Sequence, residues 1–125
     1  MSKRIIVAED SSVIQNLTKK ILSQMNYEII SVKNGQQVID LLEKEKFDLI
    51  LLDIHMPVMD GMECATRVRN LDSDNKTIPI IAITGNANNY GMKDFESVGI
   101  NDFLPKPLNY DNLVEMVGKY VNNVN

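Results

Sequence analysis

The chain has 125 residues, 44% of them apolar and 24% charged, which is typical of one soluble globular domain. A domain of this length buries roughly 65–70% of its unfolded surface, so its core needs no disulfide or metal to hold it together. The net charge is −4, and an acidic chain with no basic stripe is a poor candidate for direct nucleic-acid binding.

Cysteine content and hydropathy indicate the compartment. Cys64 is the only cysteine, so no intrachain disulfide can form, which fits a reducing environment. The apolar runs are far shorter than a membrane span, and residues 1–4 lead directly into a strand-like run without a signal-peptide core. We therefore expect a cytoplasmic protein that does not insert into membranes.

Strand-like and helix-like segments alternate along the whole chain. Short apolar runs predict five strands, at 4–8, 28–32, 49–52, 80–83 and 102–105. Apolar residues at helical spacing predict helices between and after them, at 11–25, 35–45, 60–71, 87–98 and 110–121. In the first helix the predicted buried stripe consists of Val13, Ile14, Leu17, Ile21 and Leu22.

Local signals refine three of these segments. Asp60, with Glu63 three residues later, predicts an N-cap of the capping-box type for the third helix. The fourth helix contains Asn88, Asn89 and Gly91, and these residues predict a weak helix. Residues 122–125 are expected to fray.

The pattern is a strand–helix unit repeated about five times. Strands that are apolar on both faces are typical of a parallel sheet covered by helices on both sides. The sequence therefore predicts an α/β fold in a single domain of residues 1–125. In such a sheet the carboxyl ends of the strands meet at one edge, where ligands bind.

Four of the five strands end at a residue that could do chemistry. Glu9 and Asp10 follow the first strand, Asp53 the third, Thr84 the fourth and Lys106 the fifth. We expect three carboxylates, a hydroxyl and an ammonium to converge on one cleft.

Clustered carboxylates need a shared proton or a cation. Two of them about 4 Å apart repel by roughly 4 kcal/mol at an effective dielectric constant near 20. An all-oxygen site suits Mg²⁺, which favours phosphate as a further ligand. For Asp10 alone, a role as the N-cap of the first helix is an equal alternative. Asp53 is placed as a nucleophile at the end of a buried strand, but it could equally begin a turn.

The remaining two groups suit phosphate binding. Lys106 lies between Pro105 and Pro107, which stiffen the backbone and aim the ammonium; a cis Lys106–Pro107 bond is compatible with the sequence. Thr84 offers a hydroxyl to a phosphoryl oxygen, although a threonine at this position also follows from β-propensity alone.

With these motifs in order, the chain resembles a response-regulator receiver domain. It is similar to the single-domain chemotaxis regulator and to the receivers of hybrid sensor kinases. The resemblance covers nearly the whole chain and rests on four segments: Val7–Asp10, Leu49–Gly61, Ile80–Gly85 and Phe103–Pro107. It implies a doubly wound, flavodoxin-like parallel sheet of order 2-1-3-4-5 with helices on both faces.

The resemblance also implies a role for each site residue. Asp53 would accept the phosphoryl group, Lys106 would pair with it, and Thr84 and Phe103 would form the switch. The resemblance implies four ligands for Mg²⁺: Glu9, Asp10, Asp53 and the backbone carbonyl of His55.

The function implied is a phosphorylation-controlled switch in a two-component phosphorelay, not a turnover enzyme. The donor would be a phosphohistidine on a histidine kinase or a histidine phosphotransfer protein, and the surface around the fourth helix and fifth strand would change. The domain would be a monomer, with phosphorylation-dependent dimerisation left open.

Other interpretations compete with this one. The domain could be a degenerate receiver that binds proteins without phosphate. A Mg²⁺-dependent aspartyl phosphatase of the haloacid-dehalogenase type would need a second Asp two residues after Asp53, where this chain has His55. A flavin-binding protein would need a phosphate loop after the first strand, and the sequence has none there.

Phe103, where many receivers have Tyr, could be a core aromatic. We expect His55 to act through its backbone, and Cys64, Met56, Met59 and Met62 to fill the core.

Overall fold

A five-stranded parallel sheet lies at the centre of the structure, a computed structural model that describes residues 2–85 and 90–122. The strands are β1 (Arg4–Ala8), β2 (Glu28–Val32), β3 (Leu49–Asp53), β4 (Ile80–Thr84) and β5 (Asp102–Pro105). Their order is β2-β1-β3-β4-β5, and every neighbouring pair is parallel. This confirms the predicted α/β fold and strand order.

Five α-helices surround the sheet in the described part of the chain. They are α1 (Ser12–Ser23), α2 (Gly35–Leu42), α3 (Gly61–Arg69), α4 (Met92–Ser97) and α5 (Tyr110–Val121), with a 3₁₀ turn at Asp74–Thr77. None of these helices is long and apolar enough to cross a membrane. The first three end two or three residues earlier than the apolar spacing predicts.

The helices pack on the two faces of the sheet over separate apolar clusters. Successive residues of a strand point to opposite faces, so Ile6 of β1 packs in the cluster beneath α2, α3 and α4. Its neighbour Val7 packs in the cluster beneath α1 and α5. All five residues of β3 and of β4 are buried, which explains their continuous apolar sequence. The sheet therefore positions the site from a rigid interior.

The buried stripe predicted for α1 is wrong in part. Val13 is 78% exposed and Leu17 is 43% exposed, whereas Gln15, Thr18 and Leu22 are buried. The helix is rotated from the predicted orientation because the Gln15 amide binds backbone carbonyls at the sheet edge. A hydrogen-bonded amide can be buried at little cost.

The start of α1 excludes one of the two roles considered for Asp10, that of the helix N-cap. The N-cap is Ser11, whose side chain accepts a hydrogen bond from the Ile14 N–H at 3.4 Å. Asp10 is exposed and precedes the cap. The N-cap interpretation of Asp10 is therefore wrong.

The N-cap predicted for α3 is confirmed. Asp60 accepts a hydrogen bond from the Glu63 N–H at 2.9 Å. The Glu63 carboxylate does not complete a capping box; it pairs with Arg67 one turn later, at 2.9 Å. The cap holds the start of α3 directly after the loop that follows β3.

Helix α4 is shorter than the predicted 87–98 segment. It begins after Gly91 and ends at Ser97, because Gly99 adopts a φ of +85°, the left-handed conformation that terminates helices. The Arg69 guanidinium donates to the Gly99 carbonyl at 2.6 Å and holds this end of the helix. The predicted start at Ala87 lies outside the described residues, as do residues 123–125 of the tail predicted to fray.

Truncations in α1 test the corrected stripe. Leu22→Ala should lower the free energy of unfolding by about 2–5 kcal/mol, because Leu22 is fully buried. Val13→Ala should change it by less than about 0.5 kcal/mol, because the side chain already contacts water. Urea unfolding of both variants measures this, and comparable losses would contradict the orientation of the helix.

Candidate functional site

The ends of β1, β3, β4 and β5 bring the predicted polar residues to one edge of the sheet. Strand pairing aligns Ala8 with Leu52, and Asp53 with Ile83. Thr84 aligns with Pro105, which directly precedes Lys106. The predicted site residues from four distant segments therefore lie together, on the backbone of a buried sheet.

Asp53 occupies the centre of this edge and is 1% exposed. One carboxylate oxygen, Oδ1, accepts a hydrogen bond from the His55 N–H at 3.1 Å. The other, Oδ2, lies 3.0 Å from the Lys106 Nζ. A Cβ at Gly61 would lie 2.7 Å from the Asp53 carbonyl oxygen, so only glycine allows α3 to start this close. The carboxylate is therefore fixed on both sides.

Glu9 is also buried and lies beside Asp53. Its Oε1 is 3.2 Å from the Lys106 Nζ, and its Oε2 accepts a hydrogen bond from the Ser11 N–H at 3.1 Å. Burial raises the pKa of Glu9 to about 7; the Ser11 N–H opposes this rise, and the neighbouring Asp53 carboxylate adds to it. Near neutral pH this carboxyl is divided between its charged and neutral forms.

Lys106 is the cation of the site. Burial alone would lower the pKa of its ammonium, but the hydrogen bonds and negative charges of Asp53 and Glu9 outweigh burial and raise it. The Lys106–Pro107 peptide bond is cis, as the sequence permits. The ammonium therefore stays charged, and it neutralises only part of the negative charge around it.

Three carboxylates of this site can share one metal ion. Glu9, Asp10 and Asp53 each offer a carboxylate oxygen, and these oxygens lie within 4.8 Å of one another. Asp10 is exposed, which leaves the cluster open to solvent on one side. An all-oxygen set with excess negative charge and one solvent-exposed member fits Mg²⁺.

Thr84 lies at this edge, and Phe103 connects the edge to α4. Thr84 is 1% exposed, and its carbonyl accepts a hydrogen bond from the Lys106 N–H at 2.8 Å. Phe103 is partly buried, and its ring centroid lies 5.4 Å from that of Phe95, a fully buried residue of α4. The core interpretation of Phe103 thus matches its packing, and the same contact joins β5 to α4.

The sulfur-containing residues near the site fill the core. Cys64 is fully buried, and burial raises the pKa of its thiol to about 12, so the thiol stays protonated. Met59 is buried, and Met56 and Met62 are partly buried against the same cluster. The prediction that these residues fill the core is confirmed for Cys64 and Met59, whereas Met56 and Met62 pack against the core and stay partly exposed.

Gln15 belongs to the site's surroundings and was missed at the level of sequence. Its Nε2 donates to the Glu9 carbonyl at 3.1 Å and to the Val32 carbonyl at 2.8 Å. A signal existed, because Gln15, Thr18 and Leu22 share the spacing of one helical face. The predicted stripe included only apolar residues, so Gln15 and Thr18 were left out of it.

Sequence comparison identifies the class of protein that this fold and site define. The family model of the response regulator receiver domain matches residues 5–118. The chain belongs to this family of two-component signalling domains.

Two of the curated relatives are kinases. The chain is 34% identical over 119 residues to the CAI-1 autoinducer sensor kinase/phosphatase CqsS of Vibrio cholerae serotype O1, covering 95% of this chain and 17% of that protein. It is 36% identical over 123 residues to hybrid signal transduction histidine kinase M of Dictyostelium discoideum, covering 95% of this chain and 5% of that protein. The chain thus spans a small part of the length of these relatives.

A solved structure with the same fold carries a metal ion. The receiver domain of the sensor histidine kinase PA1611 from Pseudomonas aeruginosa superimposes with a TM-score of 0.89 at 28% identity, over 98% of this chain and 100% of that one. That structure has a magnesium ion coordinated in its active-site cleft.

The raised pKa of Glu9 predicts a pH-dependent stability. As pH rises from 4.5 towards 7, Glu9 loses its proton in the unfolded chain before it does so in the folded one, so folding becomes less favourable. Glu9→Gln should therefore stabilise the metal-free protein by about 1–3 kcal/mol at about pH 8 and by much less at about pH 5.

Urea unfolding with a chelator present measures this difference. Glu43→Gln, at an exposed glutamate, serves as the control and should show no such trend. A stabilisation by Glu9→Gln that is equal at both pH values would contradict the assignment.

Proposed function

We propose that the domain is a phosphorylation-controlled switch in which Asp53 accepts a phosphoryl group from a phosphohistidine. The donor is a histidine kinase or a histidine phosphotransfer protein. The observation that carries the proposal is the buried Asp53 carboxylate, whose oxygens lie next to one ammonium and two further carboxylates. The kinase relatives support the choice of donor.

The proposed Mg²⁺ ligands are the carboxylates of Glu9, Asp10 and Asp53 and the backbone carbonyl of His55. When bound, the ion supplies positive charge next to the phosphoryl oxygens and offsets the repulsion among the carboxylates. The magnesium ion in the structurally similar receiver domain supports this assignment.

The transfer itself uses the side chains of this chain. An Asp53 carboxylate oxygen attacks the phosphorus while the bond from phosphorus to the donor's imidazole nitrogen breaks, and the nitrogen keeps the electron pair. The Lys106 ammonium, 3.0 Å from Asp53, donates hydrogen bonds to the transferring group. The low exposure of Asp53 limits competition by water for the hydrogen bonds around it.

The switch follows from the charge that phosphorylation adds. A phosphoryl group brings a charge of about −1.5 to −2 and strong acceptor oxygens. The Thr84 hydroxyl turns towards these oxygens, and Phe103 moves inward behind it. Because Phe103 contacts Phe95 of α4, that movement changes the surface formed by α4 and β5.

The functional unit in this proposal is residues 1–125, acting as a single cytoplasmic receiver domain. It is a monomer before phosphorylation, and dimerisation on phosphorylation is tested by its hydrodynamic size with and without a phosphoryl mimic. The domain assists its own phosphorylation and does not turn over a separate substrate.

Incubation with acetyl phosphate and Mg²⁺ tests the acceptor. Intact-mass spectrometry should show one phosphoryl group on the native chain and none on Asp53→Asn. Asp60→Asn is the matched control, because Asn caps a helix as well as Asp does and Asp60 is exposed. A chelator should prevent the reaction.

The competing functions give different results in the same experiment. No adduct on the native chain, with acetyl phosphate or beryllofluoride, would favour a degenerate receiver. Steady release of phosphate from a small phosphoester would favour a phosphatase. An adduct that persists in Asp53→Asn would overturn the assignment of the acceptor.

Amide hydrogen exchange tests the switch. We expect faster exchange in Met92–Ser97 than in Ser12–Ser23, because α4 is a short helix with a single buried residue. Beryllofluoride with Mg²⁺ should change the exchange of α4 and leave that of α1 nearly constant. Exchange in α4 that is as slow as in α1 and indifferent to the mimic would exclude α4 as the moving element.

A further inference from the structure

The side chain of Gln15 joins α1 to the ends of two strands. Its Nε2 lies 3.1 Å from the Glu9 carbonyl oxygen and 2.8 Å from the Val32 carbonyl oxygen. The residue is 7% exposed although its side chain is polar. Both carbonyls belong to residues at or directly after the ends of β1 and β2, at the edge of the sheet that carries the acidic cluster.

Only an amide or a similar donor can make this pair of contacts. Carbonyl oxygens accept hydrogen bonds and cannot donate them, so the NH₂ group must face both of them. It offers two N–H bonds, one for each carbonyl. An apolar side chain of equal length would leave a buried acceptor with one partner fewer, and a carboxylate would add repulsion.

These contacts fix the peptide groups on both sides of Glu9. The Glu9 N–H donates to the Val32 carbonyl at 3.0 Å, and the Glu9 carbonyl accepts from Gln15. The Glu9 carbonyl is also the start of the peptide that leads to Asp10. The orientation of this peptide determines where the chain places the carboxylates of Glu9 and Asp10.

We propose that Gln15 is a positioning residue for the metal site: its amide holds the Glu9–Asp10 peptide so that both carboxylates face the same point as Asp53. The inference rests on the proposed function, because it assumes that these carboxylates bind Mg²⁺. It extends that function to a side chain that contacts neither the metal nor the phosphoryl group.

The test compares two variants that remove similar buried amides. Gln15→Met keeps the length of the side chain and removes the donor. Asn75→Leu is the matched control: the Asn75 amide also donates to two backbone carbonyls, those of Leu42 and Glu45, at 2.9 and 2.7 Å. Asn75 lies near the amino end of β3, where its Oδ1 accepts from the Phe47 N–H, so it is remote from the acidic cluster.

Mg²⁺ affinity is measured by titrating the backbone amide chemical shifts of the folded protein, and stability by urea unfolding without Mg²⁺. Both variants should be less stable than the native chain. Gln15→Met should bind Mg²⁺ about 10-fold more weakly, a typical loss when a group behind a metal ligand is removed. Asn75→Leu should bind Mg²⁺ with the native affinity.

Gln15→Leu provides a second variant, with a smaller side chain, if Gln15→Met does not fold. It should also weaken Mg²⁺ binding, because it too lacks the N–H donors. Native affinity in a folded Gln15 variant, or an equal loss in Asn75→Leu, would overturn the positioning role. If the native chain bound no Mg²⁺ at this cluster, the proposed function would fail first, so the two failures are distinguishable.

Discussion

The site depends on one ammonium that lies between two buried carboxylates. Lys106 is 3.0 Å from Asp53 and 3.2 Å from Glu9, and a third carboxylate, Asp10, completes the cluster. Burying charge is unfavourable unless it is paired. Here one ammonium faces three carboxylates, so the pairing is incomplete. Burial, together with the neighbouring Asp53 carboxylate, raises the pKa of Glu9. A divalent cation would offset the excess negative charge of this site.

The sheet can carry this cluster of charges because the stability of the sheet comes from its buried apolar residues. Both faces of the central strands are buried under helices, and β3 and β4 contain no exposed residue. The charged groups lie just beyond the strand ends, held by short local contacts such as those of His55 and Ser11 to the carboxylates. The same edge is linked through Phe103 and Phe95 to α4, the shortest α-helix of the described chain. A cluster of charges on a rigid support is thus linked to a small adjoining helix.

Much of this arrangement could be predicted from the sequence because the strands are short, apolar and followed by polar residues. Alternation of strands and helices determines a parallel sheet, and the parallel sheet brings Glu9, Asp53, Thr84 and Lys106 to one edge. The roles assigned to them came from the resemblance to receiver domains, and the family assignment was confirmed by comparison. The Asp60 cap was predictable because capping is a local interaction.

The failures arose where a tertiary contact outweighed a local preference. Apolar spacing placed Val13 and Leu17 inside, but the amide of Gln15 has two acceptors at the sheet edge, and burying it turns Val13 outward. Asp10 has the chemistry of an N-cap, yet Ser11 takes that position and leaves Asp10 to the acidic cluster. Helix α4 ends where Gly99 adopts a left-handed conformation, with its carbonyl bound by Arg69 from α3. A pattern within one segment carries no information about such partners.

A crystal structure of the protein with Mg²⁺ and beryllofluoride tests the central claim most directly. The account predicts beryllofluoride on an Asp53 carboxylate oxygen, Lys106 in contact with its fluorines, and Mg²⁺ bound by oxygens of Glu9, Asp10 and Asp53. It would be contradicted if the ion bound elsewhere, or if Asp53 remained unmodified with Lys106 turned away.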